Sequence, residues 1–166
     1  MTRRRAWAGA ALVALLALTG CANPAEKLAE KAMEKAIEDE VGQNAEVDLD
    51  SDGGSITNDD GSVAWGEAAE VPAGFPAELP LVDATLTMAI EDQGVFSLMY
   101  TVDDTAAFDE LVAELEASGD LEKVSSMEVE GVTTYVYESA EWTVSVGLYG
   151  EEGEERSLSY MVSPKE

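Results

Sequence analysis

Between residues 85 and 162 apolar and polar side chains alternate in six short runs, interrupted once by a helical spacing, and no other feature of the 166-residue chain constrains its fold as tightly. A period of two sends successive side chains to opposite faces of a strand, so each run describes a strand with one buried and one wet face. In the first run Leu86, Met88 and Ile90 share a face. Asp92-Gln93-Gly94 then turns the chain, and Phe96, Leu98, Tyr100 and Val102 share a face of the second. Phe108, Leu111, Val112 and Leu115 recur at i, i+3, i+4 and i+7, which predicts a helix capped by Asp103 or Asp104 and ended by Gly119.

Strands over 123–129, 132–138, 142–148 and 157–162 follow, separated by turn residues at Glu130-Gly131, Ser139-Ala140 and 150–153. The pattern is ββαβββ(β), an α+β domain over 81–166 in which one helix covers an antiparallel sheet and leaves its other face open. Trp142, Val144, Val146 and Leu148 are expected to meet the helix. Tyr135, Tyr137, Tyr149 and Tyr160 divide between the two faces, and tyrosines on the open one would suit a peptide or glycan. Ordinary β-propensity explains the same residues without a ligand. Arg156 is expected to pair with Glu154 or another carboxylate.

Residues 43–80 combine an acidic ribbon with a proline-rich lead-in, and from Gln43 to Glu70 the chain is punctuated by Asp-Gly, with two similar phrases, Asp52-Gly53-Gly54-Ser55-Ile56-Thr57 and Asp60-Gly61-Ser62-Val63-Ala64-Trp65. Asp-Gly supplies the positive φ of tight hairpin turns, which predicts a ribbon of short strands anchored by Val47, Leu49, Ile56, Val63 and Trp65. Such a ribbon is marginal alone and must lean on the domain that follows. Asp48, Asp50, Asp52 and Gly53 also match the first half of a calcium loop, with Asp59 at its twelfth position, so Ca²⁺ is the one metal the spacing suggests. Against it, Ile56 sits one place late, the twelfth residue is Asp rather than a bidentate Glu, and no helix follows. A solvated acidic turn is the alternative. Pro72, Pro76 and Pro80 then fall at every fourth residue, describing a semi-rigid lead-in whose Phe75, Leu79 and Leu81 dock on the domain behind, or a proline-rich ligand for another module.

Further upstream, Asn23-Pro24 has the form of a helix start, an N-cap side chain followed by proline at the first helical position. Lys27, Lys31 and Lys35 each precede a glutamate by three residues, and Gly42 is a natural stop. The apolar stripe, mostly alanine, drifts around the helix and is too thin for a coiled-coil seam. A stalk over 21–42 is the leading reading, beside a helix that lies on a membrane or pairs with a partner.

Arg3, Arg4 and Arg5 precede an apolar run over 6–18 that is too short to span a bilayer, which needs about 20 residues. A charged start, a short apolar core and a small-residue exit describe an export signal over 1–20. Leu18-Thr19-Gly20-Cys21 resembles the lipobox of bacterial lipoproteins. That resemblance implies cleavage between Gly20 and Cys21, a diacylglycerol thioether on Cys21 and acylation of the new amino terminus. Two or more acyl chains hold a protein firmly, at about 0.8 kcal/mol per buried CH₂. Arg3, Arg4 and Arg5 also resemble a twin-arginine signal, but Ala6 fits poorly and the general export route is preferred. With its Ala/Glu/Lys helix, Asp-Gly-Ser-Val turns and the Pro72-Ala73-Gly74-Phe75-Pro76 phrase, the chain is similar to uncharacterised small lipoproteins of the actinobacterial type. Their likeness implies a C-terminal α+β domain and carries over no activity.

Acidic residues number 35 and basic ones nine; without Arg3, Arg4 and Arg5 the formal charge of −26 becomes −29. Such a surface repels nucleic acid and anionic headgroups. The chain has no histidine, which removes triads built on it and ordinary zinc sites, and its one cysteine has no internal disulfide partner. No nucleophile elbow, phosphate loop or Ser-x-x-Lys dyad occurs. These features point to a non-enzymatic, monomeric protein on the extracytoplasmic face of the cell membrane. It is anchored through Cys21 and binds a protein or envelope component, the alternative being a calcium-responsive module on Asp48, Asp50, Asp52 and Asp59.

Overall fold

The computed structural model describes Lys31, Ala32, Lys35 and residues 45–165. The expected signal peptide, Gly20, Cys21 and most of the expected stalk lie outside the described residues; Lys31, Ala32 and Lys35 are helical and exposed. Nine strands follow, β1 (Glu46–Leu49), β2 (Gly53–Thr57), β3 (Gly61–Gly66), β4 (Thr85–Asp92), β5 (Val95–Val102), β6 (Glu122–Val129), β7 (Val132–Glu138), β8 (Trp142–Tyr149) and β9 (Arg156–Pro164), with one helix, α1 (Ala106–Ala117), between β5 and β6. All pair antiparallel in a single sheet of order β1-β2-β3-β4-β5-β9-β8-β7-β6. The expected α+β balance therefore gives way to a mainly β fold among the described residues. The acidic ribbon adds three strands that α1 does not match with helix, and the last part of the domain supplies four strands after α1.

The connectivity is a meander from β1 to β5, a crossing by α1 to the far edge at β6, and a second meander back until β9 pairs with β5. The sheet thus runs across the division expected at residue 81, because β3 hydrogen-bonds β4 from Gly61↔Asp92 to Trp65↔Met88. A marginal ribbon acquires its backbone partners this way.

The two Asp-Gly phrases make the expected turns, but by another device. Asp50 Oδ1 accepts the N–H groups of Asp52 at 2.9 Å and Gly53 at 2.7 Å, and Asn58 Oδ1 accepts those of Asp60 and Gly61, both at 2.9 Å. These are Asx turns, in which a short polar side chain stands in for backbone. Neither Gly53 nor Gly61 has positive φ. What they permit is close approach, since a Cβ at Gly53 would collide with the Trp65 carbonyl and one at Gly61 with the Glu91 carbonyl. Positive φ at two successive residues occurs instead between β4 and β5, where Gln93 (φ 51°) and Gly94 (φ 81°) form a two-residue hairpin loop of the primed kind.

One face of the sheet is covered. Phe96, Leu98, Tyr100 and Val102 of β5, Leu158, Tyr160 and Val162 of β9, Val144, Val146 and Leu148 of β8 and Tyr137 of β7 are buried against Phe108, Leu111 and Leu115 of α1, with Val112 and Trp142 packed at the margin. The helix cap is shifted by one residue from expectation. Thr105 is the N-cap, and Asp104 Oδ1 accepts the Ala106 N–H at 2.9 Å, compensating an end dipole the Thr105 side chain leaves uncapped.

The lead-in extends that cover over β5 and β9, and its proline period makes turns rather than an extended arm. Phe75 N–H donates to the Pro72 carbonyl at 2.9 Å and Leu79 N–H to that of Pro76 at 3.1 Å. Two successive turns bring Phe75 and Leu79 inward, as expected. Phe75 meets Phe96 and Tyr160 edge-on, each at 5.6 Å between centroids, and Leu79 is buried. Leu81 does not dock; it is 57% exposed.

A β-bulge corrects one further expectation. The register shifts between Leu86 and Met88, so Leu86 turns to the core while Met88 and Ile90 face the other way. Thr87, the extra residue, donates its hydroxyl to the Met99 carbonyl at 3.0 Å. An inserted residue reverses the parity of everything beyond it.

Candidate binding face

Among the described residues the opposite face of the sheet carries neither helix nor lead-in. Met88 of β4 lies directly across from Met99 of β5, and Met161 of β9 sits diagonally from Met99, beside Ser97 and Ser145. The three methionines are 38%, 39% and 48% exposed. Tyr149 is the only one of the four tyrosines in question on this side. Tyr135, Tyr137 and Tyr160 share the covered side with Val146 and Val144, their cross-strand partners.

Tyr149 folds back along β8: a Cβ at Gly147 would lie 2.7 Å from its hydroxyl and 3.0 Å from Ser159 Oγ. Glycine at 147 leaves room for the ring to lie flat beside the serines. Every open-face position of β5, β8 and β9 is Ser, Thr, Gly, Val, Met or Tyr, so the centre of the face is free of charge in a chain with 35 acidic residues. Exposed apolar patches that are contiguous mark contact surfaces, and methionine adapts its shape to whatever lies on it. The arrangement suits contact through shape and apolar burial, with hydroxyls at hand for orientation.

Charge collects at the strand ends. Asp92 closes the open face at one end of β4, and Asp83 and Asp103 are exposed just beyond the other ends of β4 and β5. The three basic side chains between residues 45 and 165 are engaged elsewhere. Lys123 Nζ lies 2.5 Å from Glu116 Oε1, Lys165 Nζ lies 2.6 Å from Glu138 Oε2, and Arg156 Nε donates to the Glu151 carbonyl at 3.0 Å. Arg156 thus meets backbone rather than the expected carboxylate, at the mouth of a shallow cleft of about 470 Å³ lined by Glu130, Gly131, Gly150 and Glu151.

The predicted calcium ligands are not brought together. Asp50 and Asp52 lie in the β1–β2 turn, where Asp50 is occupied by two backbone N–H groups; Asp48 points from β1, and Asp59 lies in the β2–β3 turn at the far end of β2. At roughly 3.3 Å per residue the intervening strand separates the two turns by about 15 Å. No group of three or more acidic or thiol side chains converges as a metal site among the described residues.

The perturbed titrations belong to the covered side. Burial pushes the Tyr100 phenol up to about 12 and raises Tyr160 as well, and the hydroxyls of both lack a hydrogen-bond partner among the described residues. At the sheet margin the hydrogen bond from Lys123 lowers the Glu116 carboxyl and raises the Lys123 ammonium, which also sits 4.2 Å above the Tyr135 ring. Tyr135 is raised first by its 2.6 Å hydrogen bond to Glu128, Tyr137 first by burial.

Attention to tyrosines misses the methionines of the open face. Their signal is present in the pattern: Met99 lies between Leu98 and Tyr100, and Met161 between Tyr160 and Val162, so both are apolar residues at solvent-facing parity. Among the described residues no helix is long and apolar enough to cross a membrane. Comparison of the chain with protein-family models, curated proteins and solved structures found no match.

Proposed function

We propose that the chain is a lipid-anchored extracytoplasmic binding protein, tied to the cell membrane through Cys21 and presenting the open sheet face to a protein or envelope component. The observation that carries the binding reading is the uncharged, methionine-lined face around Met88, Met99 and Met161 on an otherwise acidic molecule. The anchor reading rests on Leu18-Thr19-Gly20-Cys21 after a short apolar run. A binding role needs no catalytic group, and the absence of histidine from the chain is compatible with it.

Two measurements test this. Cys21→Ala should abolish lipid incorporation and release the protein from the membrane fraction; a variant that stays membrane-bound without accumulating precursor refutes the anchor. A photo-crosslinking residue at position 99 or 161 in intact cells should capture a partner that the same residue at position 110, on the exposed side of α1, does not. Equal capture at all three positions refutes the open face as the binding surface.

A further inference from the structure

We infer that the open face docks a cationic amphipathic helix of a partner protein, its apolar stripe lying on Met88, Met99 and Met161 and its basic ends reaching the acidic strand ends. This rests on the reading of the open face as a binding surface and names what it would bind. The charge pattern selects the partner. The neutral centre offers apolar contact without stranding a buried charge, while Asp92 at one end and Asp83 and Asp103 at the other supply negative ends. Lys123, Arg156 and Lys165 are held by the protein's own groups, so the described part of the chain brings none of them to these three carboxylates.

The dimensions agree. From Thr85 to Asp92 the bulge leaves β4 opposite six residue steps of β5, Val95 to Thr101, about 20 Å at 3.3 Å per residue, with Asp83 in a bend just beyond. A helix of about 14 residues has that length, and one of about 20 extends past the strand ends to the acids beyond them. An amphipathic helix laid by its apolar face on a complementary surface is a recurring recognition mode, and methionine linings accommodate varied stripes.

The same charges disfavour other occupants. A second copy placed face to face would bring acid to acid on chains of formal charge −26 each, and an anionic bilayer would be repelled in the same way. The chain's own residues 24–41 hold Lys27, Lys31 and Lys35 against Glu26, Glu30, Glu34, Glu38, Asp39 and Glu40, which is the wrong sign.

The test uses the full chain in nonionic detergent and a fluorescent Leu/Lys peptide of about 20 residues with leucines at i, i+3, i+4 and i+7. Its comparator has the same composition, scrambled to break the stripe. The patterned peptide should bind at least about ten-fold more tightly than the scrambled one. Combined Met88→Ser, Met99→Ser and Met161→Ser should remove that preference while leaving scrambled-peptide binding within about two-fold. Met99→Ser alone, a single exposed change, should remove part of it and guards against misfolding of the triple variant. Equal binding of the two peptides, or a triple variant that binds like the parent, overturns the inference. So does sedimentation showing a dimer that the triple variant dissolves, because the face then belongs to a second copy. If the peptides do not discriminate yet position 99 still captures a partner in cells, the cationic helix is wrong and the binding face stands.

Discussion

The indole N–H of Trp142 donates to the Glu78 carboxylate at 2.8 Å, joining the first residue of β8 to a turn 64 residues earlier in the chain. The bond closes the lead-in over the core at one end, while Phe75 closes it at the other by meeting Phe96 and Tyr160. Trp142→Phe keeps an aromatic ring but loses the donor and some of the indole's packing at the core margin, and a hydrogen bond to a charged group contributes about 1.5 kcal/mol, less where it is exposed, as here. Urea unfolding should show a loss of about 1 kcal/mol, and limited proteolysis should cut within 72–81 faster. An unchanged cleavage rate would mean that the bond does not hold the lead-in.

Phe75→Ala removes two edge-on aromatic contacts from a half-buried site and opens space above Phe96 and Tyr160. The expected cost is about 2–3 kcal/mol, below that of a fully buried phenylalanine because the ring is partly exposed. Leu81→Ala, two residues after the second turn and exposed, should change the unfolding midpoint little, within about 0.5 kcal/mol. A comparable loss for the two variants would place Leu81 in the core after all.

Tyr100 and Tyr160 bury hydroxyls that find no partner among the described residues. Replacing each with phenylalanine removes an unsatisfied polar group while keeping the ring, so both variants should be as stable as the parent or up to about 1 kcal/mol more stable. A clear loss in denaturant titration would show that the hydroxyls are satisfied by internal water.

The same burial sets an alkaline limit. Burial raises the Tyr100 phenol from its ordinary value of 10.0 to about 12 in the folded chain. The unfolded state therefore releases its proton first, and stability that is complete below pH 10 declines as pH rises towards 12. Tyr160 shifts in the same direction and extends the decline. Unfolding midpoints measured across this range should fall for the parent and fall less for Tyr100→Phe.

Asp50 accepts two backbone N–H groups in the β1–β2 turn, and Asp59 stands at the other end of β2. Asp50→Ala should therefore loosen the hairpin at a cost of about 1 kcal/mol, whereas Asp50→Asn keeps an oxygen acceptor and should cost less. Titrating Ca²⁺ into the full chain should leave the unfolding midpoint where it was. A calcium-dependent rise that Asp50→Asn abolishes would restore the metal reading.

Much of the local structure was legible because its causes are local. The hairpin at Gln93-Gly94 follows from backbone preference at two residues, α1 from the spacing of Phe108, Leu111 and Leu115, and the later strands from alternation that any amphipathic strand must show. The tyrosines stayed ambiguous because both faces of a strand accept them. The bulge at Thr87 was invisible for a related reason: one extra residue leaves the composition of β4 unchanged and reverses which face Leu86 joins.

By itself, then, the sequence determined the strand segments of the later domain, the helix between β5 and β6, and the presence of a covered and an open face, since periodicity acts within a few residues. Only the tertiary structure decided that the acidic ribbon joins the same sheet, that the prolines fold Phe75 and Leu79 onto the core, and that methionines rather than tyrosines occupy the centre of the open face. Those outcomes depend on pairings between residues far apart in the chain, such as Trp65 with Met88 and Met99 with Ser159. Backbone hydrogen bonds and burial select such pairings collectively, and no single segment encodes them.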